Sequence, residues 1–189
     1  MIRLSFAITT LATLSCTFAA NAEDKTFHDQ KNGFSLTFPS DWTIQSPSDE
    51  EIKLSVVSAD LTCMVSASIY DRSAANSQSS TREYIEGWSM DNWKKTFGPS
   101  FNTADFSNDR LSTFPDGYPV RLADAKFTVL SQDTTIHGHS RFAFSVRGAS
   151  YGYVNCSVMG QSAEQVAQMW TPLADKAERV VNSFILDPP

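Results

Sequence analysis

Two histidines spaced by one glycine, His137-Gly138-His139, form the pair in this chain best placed for chemistry. On a strand, residues two apart project from one face, so both imidazoles could meet a single metal ion, or one could serve as a base. The rest of a metal site is not spelled out: there is no H-E-x-x-H, no C-x-x-C and no acidic cluster beside them. A solvated strand face is the plainer reading of the pair, and no metal or cofactor is expected. Serine is abundant, but no S-x-x-K occurs, and only His28, His137 and His139 could act as base. Phosphate-cradling glycine loops are also missing. No catalytic residue is assigned. A hydrolase or metal-dependent enzyme using the His137/His139 face stands as the alternative to a non-catalytic protein.

Residue types suited to binding cluster elsewhere. In the segment Thr81 to Phe97, Tyr84, Ile85 and Trp88 share one side of a helix, while Met90, Trp93 and Phe97 fall near the opposite side. Either the helix breaks near Gly87 and both sets pack inward, or it is continuous and one set is left over. The break is the plainer reading; only the continuous helix yields a contact surface. The flanking stretches, 71–80 and 98–110, look too polar to cover two large aromatics. On that ground Met90, Trp93 and Phe97 are the candidate partner-binding residues, with Trp93 bordering a partly exposed apolar groove for a protein or small ligand.

These residues need elements to hold them. Phe34, Leu36 and Phe38 alternate strictly, the mark of a strand with one buried face. Pro39 ends that strand, Ser40-Asp41 turns the chain, and Trp42 and Ile44 resume the pattern with the indole sunk beside the corner. Further strands follow at Ile52 to Val56 and Cys63 to Ile69. The polar stretch 71–80 reads as a loop, and Ser80 with Glu83 as a capping box opening the next helix. Residues 98–110 read as irregular. Long strands are expected at Val120 to Leu130 and Thr134 to Arg147, then at Tyr151 to Met159. In the second of these, Phe142, Phe144 and Val146 face one way; His137, His139, Arg141 and Arg147 face the other. Ser162 caps a final helix whose apolar stripe runs from Val166 to Phe184, with a kink or restart expected at Pro172. Short turns between consecutive strands imply an α+β domain with a mostly antiparallel sheet packed with helices.

The ends and totals set the compartment. Residues 1–22 carry a single charge, Arg3, an apolar run too short to span a bilayer, and an Ala20-Asn21-Ala22 end: a cleavable export signal. Cys16 lacks the residues that a lipid attachment motif places before it. Residues 23–189 then form one domain. Removing Arg3 leaves 14 basic residues against 21 acidic, a net charge of −7. With no basic run longer than Lys94-Lys95, nucleic acid and anionic membranes are not expected partners. Two cysteines remain, Cys63 and Cys156, and an even pair in an exported protein reads as a disulfide. The location expected is periplasmic or secreted.

Three stretches carry a family resemblance. "GFSLTFPSDW" is similar to the opening of PsbP-like domains, "PDGYPVRLADAKFTV" resembles their later strand pair, and "AERVVNSFIL" is similar to their closing helix. The resemblance implies an α/β/α sandwich, an antiparallel sheet between helices. It also implies a role in binding, because members with a known role mostly bind other proteins and no shared catalytic residue set exists to carry over. The plain export signal points to the small periplasmic bacterial members. Mass spectrometry of the exported protein should find Glu23 as the mature N-terminus; a lipidated Cys16 there would overturn both the cleavage site and the absence of a membrane anchor.

Overall fold

The computed structural model describes residues 23–47, 49–69 and 78–188. The expected signal segment 1–22, with Cys16, lies outside the described residues, as does most of the expected loop 71–80. Among the described residues, ten strands and three helices follow in chain order. They are β1 (Asp24–Asp29), β2 (Phe34–Pro39), β3 (Thr43–Gln45), β4 (Ile52–Val57), β5 (Thr62–Ile69), α1 (Gln78–Glu86) and α2 (Met90–Phe97). After a 3₁₀ turn at Gly98–Ser100 come β6 (Thr103–Thr113), β7 (Pro119–Ser131), β8 (Thr134–Arg147), β9 (Ser150–Gly160), α3 (Ala163–Asn182) and β10 (Ile185–Leu186). All the strand pairings are antiparallel. A seven-stranded sheet has the order β3-β4-β5-β9-β8-β7-β6, and a small second sheet the order β1-β2-β10.

The alternation read from the sequence places the layers. Phe34, Leu36 and Phe38 are buried on β2, and Cys63, Val65 and Ala67 on β5. They join Ala143, Val154, Cys156 and Val158 in one core between the large sheet, α3 and the small sheet. The other face of the large sheet carries a second, aromatic core under α1 and α2. The molecule is therefore an α/β/α sandwich of α+β class. β7 and β8 turn through Gln132 and Asp133, both at positive φ, the two-residue hairpin geometry that matches sheet twist. Gly138 sits opposite Phe127, and a Cβ at Gly138 would meet the Phe127 ring at 2.1 Å, so only glycine lets that ring lie across β8.

Several expectations need correction. β1 pairs along the whole of β2, although its mostly polar residues, alternately exposed and half-buried, gave no strand signal. The stretch expected to be irregular after residue 98 contains the 11-residue β6, an edge strand on which Phe106 alone is buried. A bulge with Asn108 at positive φ shifts its register against β7, so no periodicity was there to read. The helix expected to open at Ser80 begins at Gln78, so Ser80 is not its cap. Trp42 is buried in the turn as expected, but Ile44 is exposed on the short β3. α3 runs uninterrupted through Pro172, which lies on its exposed side, while Thr171 Oγ1 donates to the Ala167 carbonyl at 2.9 Å.

Cys63 and Cys156 are directly opposed on β5 and β9 and form a disulfide, both buried in the α3-side core. Their separation of 93 residues makes the entropic contribution large. The chain-entropy relation gives about 4.6 kcal/mol at this loop length. Urea unfolding of the oxidised and fully reduced protein should differ by about that amount; coincident transitions would show that the bridge adds no stability.

Candidate binding groove and the histidine face

The groove begins with a break in the chain. After α1 the Gly87 amide still donates to Glu83 O at 2.8 Å, then Trp88 N reaches Ile85 O and the helix stops. Ser89 is extended, at φ −133° and ψ 171°, and caps α2. Its amide and its hydroxyl both donate to Asn92 Oδ1, at 2.9 and 2.7 Å. Splitting one helix into two lets each half turn its own apolar side inward. Ile85 and Trp88 come from the first half and its exit, Trp93 and Phe97 from the second, and all four are buried.

This overturns the groove expected at Trp93. Trp93 is 0% exposed and sits at the centre of the aromatic core, with ring centroids 5.2 Å from Phe97 and 5.7 Å from Trp88. Its Nε1 donates to Asp109 Oδ1 at 2.9 Å, and Arg121 Nε holds the same oxygen at 3.1 Å. Met90 is half-buried against that core. Of the three candidate residues, Phe97 alone borders an opening.

A groove does exist, one helical turn further along. It has a volume of about 400 Å³ and lies between α1 and α2 on one side and the β8–β9 sheet surface on the other. Neighbouring rings run along it: Tyr84 to Trp88 at 5.5 Å, Trp88 to Phe144 at 4.4 Å, Phe144 to Phe97 at 5.7 Å and Phe97 to Tyr153 at 5.1 Å. Val146 and Tyr151 extend the floor, and Thr96, Ser100 and Glu51 complete the rim. The helices pack on β6, β7 and β8, so Tyr151 and Tyr153 on β9 lie beyond their cover. Tyr84 is 51% exposed. Burial pushes the Tyr153 hydroxyl above the usual phenol range, and the carboxylates of Glu51 and Asp49 add to that against a Ser66 hydrogen bond. Burial also raises Tyr84. Trp88 is 3% exposed, and its indole nitrogen has no hydrogen-bond partner among the described residues.

The histidine face is half-covered by a helix rather than fully solvated. His137 and His139 lie on the α3 side of β8, and α3 passes over them with Val166 and Ala167, leaving a cavity of about 210 Å³. The His139 ring stacks on Trp170 at 4.2 Å and 20°. Burial lowers its pKa to about 4, with Lys126 and Arg141 acting in the same sense and Asp124 opposing, so it is neutral at pH 7. Among the described residues, no group of three or more His, Cys, Asp or Glu is placed to hold a metal ion. Next along the face, Arg141 donates to Asp124 Oδ1 at 2.7 Å, pairs with Glu178 at 2.7 Å and reaches the Ala174 carbonyl at 3.1 Å. Arg110 joins Glu178 and Asn108 joins Asp124. These bonds hold Asp124 and Glu178 below the usual carboxylate range despite their burial. This network ties α3 to the sheet. Sequence reasoning missed it, because its partners come from β6, β7, β8 and α3.

No family model matches the chain, and no curated protein matches it. Among solved structures it is similar to cyanobacterial PsbP from Synechocystis sp. PCC 6803, with a TM-score of 0.54 at 15% identity over 91% of this chain and 97% of that one. It is also similar to a protein from Bacteroides thetaiotaomicron, with a TM-score of 0.47 at 14% identity over 86% of this chain and 48% of that one. A third similar structure is LpqN of Mycobacterium tuberculosis, described as involved in cell envelope biogenesis, with a TM-score of 0.43 at 10% identity over 88% of this chain and 91% of that one. The first likeness shows a PsbP-like fold; the two lower scores add nothing to it.

The buried position of Trp93 sets its mutational cost. Trp93→Ala should destabilise the protein by about 3–5 kcal/mol, the range for emptying an aromatic core site. Tyr84→Ala, at an exposed site, should stay within about 0.5 kcal/mol. Chemical denaturation of the two variants checks the contrast, and equal losses would place both rings in the same environment.

Proposed function

We propose that this PsbP-like domain is an exported, non-catalytic binding protein, freed of residues 1–22, and that it meets a protein or small-ligand partner in the aromatic groove beside Phe97. The carrying observation is the groove itself. It brings rings from both short helices and from two strands to one opening, with an exposed tyrosine at its lip. Aromatic residues dominate binding hot spots because each removes a large rigid surface from water at little entropic cost. The volume falls in the range of small-ligand sites.

The enzymatic alternative on the His137/His139 face has less support. His139 is committed to a stack on Trp170, and its low pKa makes it a weak base at neutral pH. No helix among the described residues is long and apolar enough to cross a membrane.

Photo-crosslinking in the exporting cell tests the reading. A benzophenone side chain at the position of Tyr84 should yield a discrete adduct, read by intact mass whether the partner is a protein or a small molecule. The same group in place of Leu130, exposed at the end of the β7–β8 hairpin, should not. Equal adducts from both positions, or none from Tyr84, would sink the proposal.

A further inference from the structure

We infer that the groove selects a small organic cation, an ammonium or quaternary ammonium group carried on an apolar body; this rests on the groove being the binding site. The lining supplies both halves of cation recognition. Ring faces carry negative quadrupole charge, and Tyr84, Trp88, Phe97 and Tyr153 line the opening in one connected series. Glu51 is the one charged residue among the described residues that line it, and none of them is basic.

Glu51 is also available. It forms no ion pair among the described residues, and Lys53, the nearest cation along the chain, donates instead to the Glu50 carbonyl. Asp49 lies close enough that its carboxylate, with that of Glu51, raises the Tyr153 hydroxyl, so the negative field reaches inside the groove. A wholly apolar ligand would strip water from Glu51 without replacing it. An anion would meet the carboxylates with no basic side chain among the described lining residues to offset them. A cation satisfies rings and carboxylate together, and the acidic chain draws cations at longer range.

Choline and its uncharged isostere 3,3-dimethylbutan-1-ol separate charge from shape. Titrated to tens of millimolar and followed by NMR, choline should shift the Trp88 indole and the Tyr84 and Tyr153 rings. The isostere should bind at least about fivefold more weakly, the ratio one exposed cation–π contact supplies by itself. Glu51→Gln, at an exposed position, should weaken choline and so narrow the difference to that cation–π share, while leaving the isostere unchanged. Equal binding of both compounds would overturn the cation inference and leave the groove as an apolar site. If neither compound shifts these rings in the folded protein, the cation inference and the groove reading fall together.

Discussion

Each side chain of β8 is committed to one of two faces, and the rest of the molecule is arranged around that commitment. The pleat sends Phe142 and Phe144 to the α1–α2 side and His139, Arg141 and Ala143 to the α3 side. A register slip of one residue would drive Arg141 into the aromatic core and Phe142 against Asp124. Desolvating an unpaired guanidinium costs several kcal/mol, far more than any single turn or cap contributes. Fourteen residues of β8, paired on both edges, therefore hold the register for the whole sheet.

That division explains why the two faces do different things. On the α3 side, Arg141 sits between Asp124, Glu178 and the Trp170 ring, so one helix is pinned at a fixed place on the sheet. A charge network of this kind is sensitive to geometry, which suits a closed interface. The α1–α2 side is held chiefly by ring packing, whose energy depends weakly on small displacements. Two short helices with an extended residue between them cover three strands and end where Trp88 and Phe97 turn down to the sheet. The uncovered part of the same face begins there.

What could be read from the sequence follows the range of the forces involved. Phe34, Leu36 and Phe38 alternate because one face of β2 is buried, so the strand and its orientation were legible from six residues. The disulfide was legible from cysteine count and the parity of Val65 and Val154. β6 was not, because its existence depends on pairing with β7 and its outward residues answer only to solvent. The break at Ser89 was half legible: Gly87, Ser89 and Asn92 are cap residues in plain view, but the aromatic spacing reads equally well as one helix. Trp93 was misassigned for that reason. The Asp124–Arg141–Glu178 network was beyond reach, since no local pattern links positions from separate elements.

The groove itself follows from that same break. A continuous helix from 78 to 97 would have to leave either Trp88 or Trp93 in water, and burying an indole stabilises by a few kcal/mol. Interrupting the helix at residues 87–89 costs a few backbone hydrogen bonds, partly returned by the Ser89–Asn92 cap. Both indoles are then buried, and the helix pair is compact instead of long. A compact pair cannot reach across β9, so Tyr151 and Tyr153 are left as floor. The opening is thus the residue of a core-packing solution, and its aromatic lining is the outer shell of the core that the break made possible.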